Sequence, residues 1–568
     1  MHDESVCTPH CKTAPSPAAA VPPAAPSLAV SGTAAALAAC GGGGASDVPA
    51  PPPAAPTAAE ASRFLAQASM GATRGEIARV QAIGYAGWLD EQFALPASTS
   101  RWDFLLAAGY ADPVNKNSEA GFDAAAWVKL IAAPDTLRQR VTLALSEIFV
   151  TAIDGLVGSG WRQFAAAAWL DLLEANAFGN HRALLQQISL SPAMGMYLTY
   201  RGSAKANVAT GALPDENYAR ELLQLFTIGL LQLNPDGTAK SVAGAPVETY
   251  GQADITGLAR VFTGWDFDFA GLTGTAATAT PDFVRRPMVQ VASRYESGAK
   301  TFLGSTVPAG TAALASLTLA LDAIAAHPNV APFLCRQLIQ RLVTSNPSPA
   351  YVARIAAVFA DDGSGVRGNL RAVLRALLLD AEARSPGTPA TFASYGKLRE
   401  PMLRFLGWAR AYAATSPSAA WAIGNMSDPG RGLAQSPLRS PSVFNFFRPG
   451  YVPPNTALGS AALAAPEFQI ANESSVVGFV NTMQRAVAGS IGDITPDYTR
   501  LMPLADDAKA LVDEVNLVLA ANQLGAATCM TVAAALQTMA AGTDTTRRAR
   551  INAALVLVLA APEYIVQK

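Results

Sequence analysis

The chain has 568 residues, of which 50% are hydrophobic and only 15% are charged, and its formal net charge is −2. It lacks the basic excess with which proteins neutralise phosphates, so we expect no nucleic-acid partner. Only four histidines and five cysteines are present, which disfavours a zinc site. We predict no metal and no cofactor, although a carboxylate site for calcium or magnesium stays open.

The first 40 residues predict export. A small-residue and apolar run from Ser27 ends in Leu37-Ala38-Ala39-Cys40, the pattern that lipoprotein signal peptidase cleaves before a lipidated cysteine. Acyl chains on Cys40, at about 0.8 kcal/mol per buried methylene, would anchor the mature chain to a membrane. A plain secretory signal or a disordered Ala/Pro tail is the alternative, because Lys12 is the only fixed cation upstream. We expect a periplasmic or outer-membrane-anchored lipoprotein.

Residues 41–57 are mostly Gly, Ala and Pro, and we predict a flexible linker there. Residues 58–568 then form one domain whose apolar spacing is helical almost throughout. The fold class is mainly α: a large multi-helix globular domain with long irregular loops and at most a few short strands. The predicted helices are 62–67, 74–83, 86–93, 137–153, 162–176, 183–189, 215–229, 254–265, 311–326, 329–343, 351–359, 370–379, 397–413, 506–521 and 546–559. Short strands are predicted at 289–292 and 300–303, and irregular zones at 234–251, 266–308 and 425–465.

The helix predicted from Asp215 to Gly229 concentrates charge in a chain that has little. Glu216 and Arg220 are four residues apart, as are Asn217 and Glu221, and Arg220 and Gln224. Such pairs share one helix face. That face is either solvated or part of a buried or cleft-lining carboxylate–guanidinium network, and the sequence leaves both interpretations open.

A second short helix is predicted from Asp254 to Trp265, with Asp254 as its N-cap. Arg260 lies on its mainly apolar surface. A cation there needs a carboxylate partner, since an unpaired buried charge is costly. We expect the partner in the polar face of the preceding helix.

Glu147 is a lone carboxylate between Leu145 and Phe149 on an apolar helix. A desolvated Glu has a raised pKa and suits general acid–base chemistry, whereas a salt-bridged or exposed Glu would be structural. His181 is expected at the surface or as a capping residue, and His327 as a structural residue. Aromatic residues could line a groove or pack in the core; they are Trp265, Phe267, Phe269, Phe444, Phe446, Phe447 and Tyr451. Cys335 and Cys529 could pair or remain buried thiols.

Two segments resemble hallmark motifs of a known family. Residues 215–222 read Asp-Glu-Asn-Tyr-Ala-Arg-Glu-Leu, and residues 259–265 read Ala-Arg-Val-Phe-Thr-Gly-Trp. With further matches, the chain resembles the bacterial domain of unknown function 1800 family from about residue 60 to 568. Those matches are Arg63-Phe64-Leu65, Trp88-Leu89, Lys-Thr-Phe-Leu-Gly at 300–304, His327-Pro328, Lys-Leu-Arg-Glu-Pro at 397–401, Pro-Ser-Val-Phe-Asn-Phe-Phe at 441–447 and Ala-Pro-Glu-Tyr at 561–564.

The resemblance implies an exported, mostly helical protein, often encoded beside a sulfatase-like family, domain of unknown function 1501. It implies no catalytic residue set. Two positions depart from the family pattern: Asp215 replaces an Asn, and Ser146-Glu147-Ile148 stands where many relatives have His-Asn-His. A role for those histidines elsewhere would not transfer to this chain.

The leading hypothesis is a lipoprotein that binds, or helps to process or assemble, an envelope or extracellular polymer with a sulfatase-like partner. One alternative is a carboxylate-dependent hydrolase or lyase acting on a polysaccharide-like substrate, and another is a purely structural assembly factor. Candidate catalytic residues are Glu216, Glu221, Arg220, Arg260 and Glu147. Candidate binding residues are Asn217, Gln224, Asp254 and Trp265.

Overall fold

Side-chain caps and apolar stripes define most helices of this chain, as the first helix illustrates. The Thr57 hydroxyl accepts from the Glu60 N–H, and the Glu60 carboxylate accepts from the Thr57 N–H, a reciprocal cap that starts the helix. Phe64 and Leu65 then face the core. The structure, a computed structural model, describes residues 55–272, 278–385 and 394–568. The predicted signal peptide, Cys40 and the linker as far as residue 54 lie outside the described residues.

The described α-helices are numbered in chain order. They are α1 Ala58–Ala68, α2 Arg74–Ala94, α3 Arg101–Ala107, α4 Phe122–Ala132, α5 Thr136–Ser146, α6 Arg162–Ala175, α7 His181–Ser189, α8 Pro192–Tyr197, α9 Asn217–Glu221, α10 Gln252–Ala259, α11 Ala313–Ala326, α12 Val330–Leu342, α13 Pro349–Ala360, α14 Leu370–Leu379, α15 Ala381–Arg384, α16 Pro401–Ala411, α17 Ala457–Ser460, α18 Glu473–Val487, α19 Ala508–Ala520, α20 Ala526–Gln537, α21 Asp544–Ala560 and α22 Pro562–Ile565. The mainly α fold class is confirmed.

The described strands are short and form antiparallel two-stranded pairs. They are β1 Ser241–Val242 with β2 Ala245–Pro246, β3 Trp265–Asp266 with β4 Val289–Gln290, β5 Lys300–Phe302 with β6 Ser305–Val307, and β7 Lys397–Leu398 with β8 Val566–Gln567. The last pair joins the C-terminus to the segment before α16. Strands predicted at 289–292 and 300–303 are therefore present, each slightly shorter than expected.

Two hydrophobic clusters form the interior of one compact unit, Ala54–Lys568. The larger cluster draws mainly on α1 to α14, and the smaller mainly on α16 and α18 to α22, with Trp127 of α4 and Leu143 of α5. No single helix in the described ranges has the length and apolar composition to cross a bilayer; α11 and α12, bent by 74°, meet both conditions only as a pair.

The helix predicted over 397–413 begins only at Pro401, since Lys397–Leu398 is β7, and the helix predicted over 254–265 ends at Ala259. Two further predicted helices also differ from those in the structure. The helix predicted over 137–153 ends at Ser146 in α5, because the Ile153 N–H donates to the distant Leu438 carbonyl, which holds the chain out of helix. The helix predicted over 215–229 begins at Asn217 rather than near Pro214, and it changes to a π-helix over Leu222–Thr227. Apolar spacing alone did not indicate either change.

Candidate functional site

The polar face of α9 is a half-exposed network against α10. Glu216 pairs with Arg220 at 3.4 Å, as the spacing predicted. Its two carboxylate oxygens also accept from Gln252 Nε2 and Thr256 Oγ1, each at 2.7 Å. These groups bond one another at the surface and thereby connect the two helices.

Glu221 is buried and does not take part in that network. Its side chain is 7% exposed and its Oε2 has no hydrogen-bond partner among the described residues. Burial raises the pKa of Glu221, and Arg220 partly opposes the rise. Burial also raises the pKa of Tyr250 to about 12, and the charge of Glu221 contributes to that rise. Glu221 is thus a buried carboxyl beside a tyrosine, one helical turn from Gln224.

The remaining candidates near α10 have structural positions. The expected contact of Arg260 with the α9 carboxylates is wrong, because Arg260 pairs with Glu296 at 3.6 Å. Asp254 is not the N-cap of α10, which is Gly251; the Asp254 carboxylate accepts from the N–H groups of Gly251 and Leu303 at 2.8 and 2.7 Å. It therefore fastens α10 to the β5–β6 hairpin.

Two further candidates make local contacts. Asn217 is exposed, and its backbone N–H donates to Asp215 at 2.8 Å. Trp265 is 3% exposed, and its indole N–H donates to the Val261 carbonyl at 3.3 Å. Neither side chain faces the cavity described next.

An open cavity of about 420 Å³ lies behind the α9 helix, between its π-helical continuation, α12 and the 443–450 loop. Its walls are mostly apolar, and its polar lining groups come from three separate segments. The lining residues are Glu147, Ile148, Gln224, Leu225, Gly229, Leu230, Leu231, Leu233, Phe333, Arg336, Gln337, Gln340, Arg341, Val443, Phe444, Pro449 and Gly450. We call this the α12 pocket; of the nine candidate site residues, it contains Glu147 and Gln224.

The wall formed by the hallmark helix depends on the π-helix. The Ile228 N–H donates to the Leu223 carbonyl five residues earlier, at 3.1 Å. A π-turn widens the helix locally and is most often found at functional sites. Gly229 follows with φ +71°, and a Cβ there would lie 2.7 Å from the Phe333 ring. Glycine is therefore required where this wall meets α12.

The opposite wall is one face of α12. Phe333, Gln337 and Arg341 are four residues apart, as are Arg336 and Gln340, so they line up along the helix. Asn329, just before α12, donates to the carbonyls of Ile228 and Leu231 at 2.9 and 2.8 Å. The Asn329 side chain therefore links the two walls of the pocket.

A buried cluster of charges lies under the pocket, where the two hydrophobic clusters meet. It contains three cations, Arg140, Arg341 and Lys397, and three carboxyls, Glu147, Glu400 and Glu467, each at most 4% exposed. We call it the charge cluster. Of its members, Glu147 and Arg341 also line the pocket, so they form its floor.

Direct contacts connect these six groups. Arg341 Nη1 donates to Glu147 Oε2 at 3.1 Å, and Lys397 Nζ lies 3.1 Å from Glu467 and 3.6 Å from Glu400. Arg140 and Lys397 both donate to the Arg341 carbonyl, at 2.6 and 2.7 Å, near the end of α12. Cations at that end are favoured by the partial negative charge of the helix C-terminus.

The two central carboxyls titrate in opposite directions. Burial raises the pKa of Glu147 well above its usual range, and the neighbouring Glu400 raises it further. Burial opposes ionisation of Glu400 too, but Lys397, a hydrogen bond with Glu147 and Arg140 together hold its pKa below the usual range. These opposite shifts favour the proton on Glu147, in a hydrogen bond with the Glu400 carboxylate. The sequence left open whether Glu147 is desolvated or salt-bridged, and in the structure the carboxyl is both buried and paired with Arg341. The apolar helix did not indicate its partners.

His181 and the two cysteines have surroundings that the structure defines. His181, expected at the surface, is 1% exposed between Phe149 and Phe359, and burial lowers its pKa to about 3. That expectation was wrong because α7 packs this first-turn residue inward. Cys335 and Cys529 are both free thiols. Within the described ranges, no group of three or more His, Cys, Asp or Glu side chains is arranged to hold a metal ion.

The aromatic candidates do not form one groove: Phe269 and Tyr451 are partly buried and line no part of the α12 pocket. Trp265, Phe267, Phe446 and Phe447 are buried at 9% exposure or less. Phe444 is partly exposed and lines the α12 pocket. Sequence reasoning missed Arg341, Lys397, Glu400 and Glu467. The available signal was the Lys-Leu-Arg-Glu-Pro match, which places a cation and a carboxyl three residues apart.

These observations define a class of protein. It is a helical domain with a pocket between its hallmark helix and the polar face of α12. A family model described as Protein of unknown function (DUF1800) matches residues 63–566, and the chain belongs to this family. Comparison with curated proteins and with solved structures finds no match.

Proposed function

We propose that the protein is an exported, membrane-anchored lipoprotein that binds a segment of an envelope or extracellular polymer in the α12 pocket. One observation carries the proposal: an open cavity of about 420 Å³ whose apolar walls carry a few convergent polar groups. This combination is typical of ligand sites, which commonly measure 300–1,000 Å³. A sulfatase-like partner, implied by the family resemblance, would act on the same polymer.

The lining groups suit repeating polymer units. Phe333 and Phe444 can contact flat apolar faces, and the amides of Gln224 and Gln337 can bond hydroxyl or carbonyl groups. Gln337 Nε2 is buried without a hydrogen-bond partner among the described residues. Because an unbonded buried donor costs about 1–3 kcal/mol, a ligand acceptor at this position would contribute to binding.

Filling the pocket is expected to abolish polymer binding. Val443→Trp places an indole in the cavity at a partly exposed position. Retention of the purified protein on isolated envelope and secreted polymers should therefore fall at least about tenfold. A factor of ten corresponds to about 1.4 kcal/mol of binding free energy. Cosedimentation with the polymer measures this. Val476→Trp, at a position on α18 that is 58% exposed, is the matched control and should bind normally.

Unchanged retention of a folded Val443→Trp protein would overturn the proposal. If polymer retention is absent in the unaltered protein as well, the structural assembly factor becomes the better hypothesis.

A second candidate, a carboxylate-dependent hydrolase or lyase, is favoured by Glu147. A carboxyl that keeps its proton at a pocket floor can donate it to a leaving oxygen while water or an elimination step completes bond cleavage. Glu147→Gln should then abolish release of polymer fragments, with about 10²–10⁴-fold lower turnover, while polymer retention persists. Fragment release at the normal rate by Glu147→Gln would exclude this chemistry.

A further inference from the structure

The ionic groups that line the α12 pocket are not balanced. Arg336, Arg341 and Glu147 contribute to its lining. Arg341 is occupied by Glu147 through both its side-chain carboxyl and its backbone carbonyl, at 3.1 and 3.2 Å. Arg336 has no carboxylate within ion-pair distance among the described residues. Of the two guanidinium groups that line the pocket, that of Arg336 is the one without a carboxyl partner among the described residues.

Arg336 lines the cavity from α12. It lies on the α12 face that also presents Phe333, Gln337 and Gln340 to the pocket. Its polar contact is a long hydrogen bond of 3.4 Å from Nη1 to the Gly237 carbonyl. The side chain is solvent-exposed, yet the surrounding walls desolvate it enough to lower its pKa. A partner anion would find this guanidinium accessible and uncommitted.

The rest of the pocket is apolar. Its walls are formed by aliphatic and aromatic side chains, which include Leu225, Leu231, Leu233, Phe333 and Val443. Burying apolar ligand surface against them is favourable by roughly 25 cal/mol per Å² before the costs of association. A neutral sugar surface would leave much of that apolar lining without a matching partner.

We propose that the α12 pocket recognises an acidic unit with an apolar body, a carboxylate on an aliphatic chain, whose acid group pairs with Arg336. This inference rests on the proposed function, in which the same pocket holds part of a polymer, and it specifies the chemistry of the unit bound. The guanidinium offers a planar pair of donors that matches a carboxylate. The apolar walls hold the chain, and the Nε2 of Gln337, which has no hydrogen-bond partner among the described residues, is a further donor for the acid group.

The test compares two probes with the same chain and different charge. Isothermal titration of the full protein with dodecanoate below its micelle concentration and with dodecanol below its solubility limit should show about tenfold tighter binding of the acid, as expected for one charge-assisted contact. Arg336→Gln should reduce that preference to near one. Arg375→Gln, at an exposed arginine that pairs with Asp90, should retain it. Val443→Trp should weaken both probes alike.

The other possible results of this titration would contradict the proposed ligand in different ways. Equal binding of the two probes, or a preference that survives Arg336→Gln, overturns recognition of an acid by Arg336. Absence of binding by either probe overturns the acidic apolar ligand altogether. Neither result decides polymer binding, which the retention of Val443→Trp on whole polymer measures separately.

Discussion

Replacing Glu400 by Gln is expected to destabilise the protein by about 3–5 kcal/mol, whereas the same replacement at Glu147 should cost less than about 1 kcal/mol. Both carboxyls belong to the charge cluster and both are buried. Glu400 is the ionised partner, so its loss leaves Lys397 and Arg140 with less compensating charge. The raised pKa of Glu147 favours its neutral form, and a neutral amide reproduces the donor and the acceptor of that form.

The hydrogen bonds around the two carboxyls explain why Gln should be tolerated at position 147 and not at position 400. At position 147 the amide oxygen can still accept from Arg341, and the amide N–H can donate to Glu400 in place of the acid proton. At position 400 the oxygen can accept from Gln435, now at 2.7 Å, but the NH₂ group then faces Lys397 at the other oxygen. Two donors opposed in a buried site are unfavourable.

Urea unfolding of the two variants at neutral pH measures the difference, and equal destabilisation would contradict the assignment of the proton to Glu147. The pH dependence provides an independent check. A carboxyl with a raised folded pKa contributes stability below its unfolded pKa of about 4.3, and this contribution is lost as pH rises through the folded value. The free energy of unfolding of the unaltered protein should therefore decrease as the pH rises from about 4.3 to the folded pKa of Glu147. Glu147→Gln should remove that decrease.

Glu400 contributes in the opposite sense. Its folded pKa lies below the unfolded value, so its stabilisation is present above about pH 4.3 and is lost as the pH falls through the folded value. The destabilisation caused by Glu400→Gln should therefore diminish on acidification.

Gly257→Ala is the second substitution with a large expected effect. Gly257 lies in α10 where the helix crosses β5, and a Cβ there would lie 1.8 Å from the Thr301 carbonyl oxygen. Both atoms belong to backbone, so neither can move without displacing an element. Overpacking of this kind costs about 1–3 kcal/mol and occasionally more, and we expect the upper part of that range because the obstacle is a carbonyl.

Gly75→Ala is the matched control, because the same substitution there is expected to have the opposite sign. Gly75 is exposed in the first turn of α2, and the nearest atom to an added Cβ is Thr73 Oγ1 at 3.9 Å. Alanine should stabilise this helix by about 0.5–1 kcal/mol relative to glycine. Urea unfolding of both variants gives the comparison, and a neutral effect of Gly257→Ala would disprove the close contact between α10 and β5.

The hallmark segment of the family has two faces with different surroundings. Its charged face, with Glu216 and Arg220, bonds to α10 at the surface. Its other side continues into the π-helix, which presents Gln224 and Leu225 to the α12 pocket. The concentration of charge that distinguishes the sequence is therefore an attachment between helices, and the pocket lies on the face with fewer charges.

The sequence predicted the elements that depend on local patterns. Apolar spacing located the helices near 162–176 and 370–379 almost to the residue, and glycine marked the break in α2 at Gly84, where φ is +72°. It missed α4 and α18, whose alanines, glycines and small polar residues weaken the periodic signal. It also overextended the helix at 137–153, since a hydrogen bond from a segment 285 residues away competes with the local helix bond.

By itself, the sequence determined the mainly helical class and the family, because composition, apolar spacing and short motifs decide these. Only the tertiary structure placed Lys397, Glu400 and Glu467 around Glu147 and brought α12 against the π-helix to form the pocket. Those contacts join residues more than 100 positions apart. The partner of a buried charge is chosen by the packing of whole helices, and no local pattern records that choice.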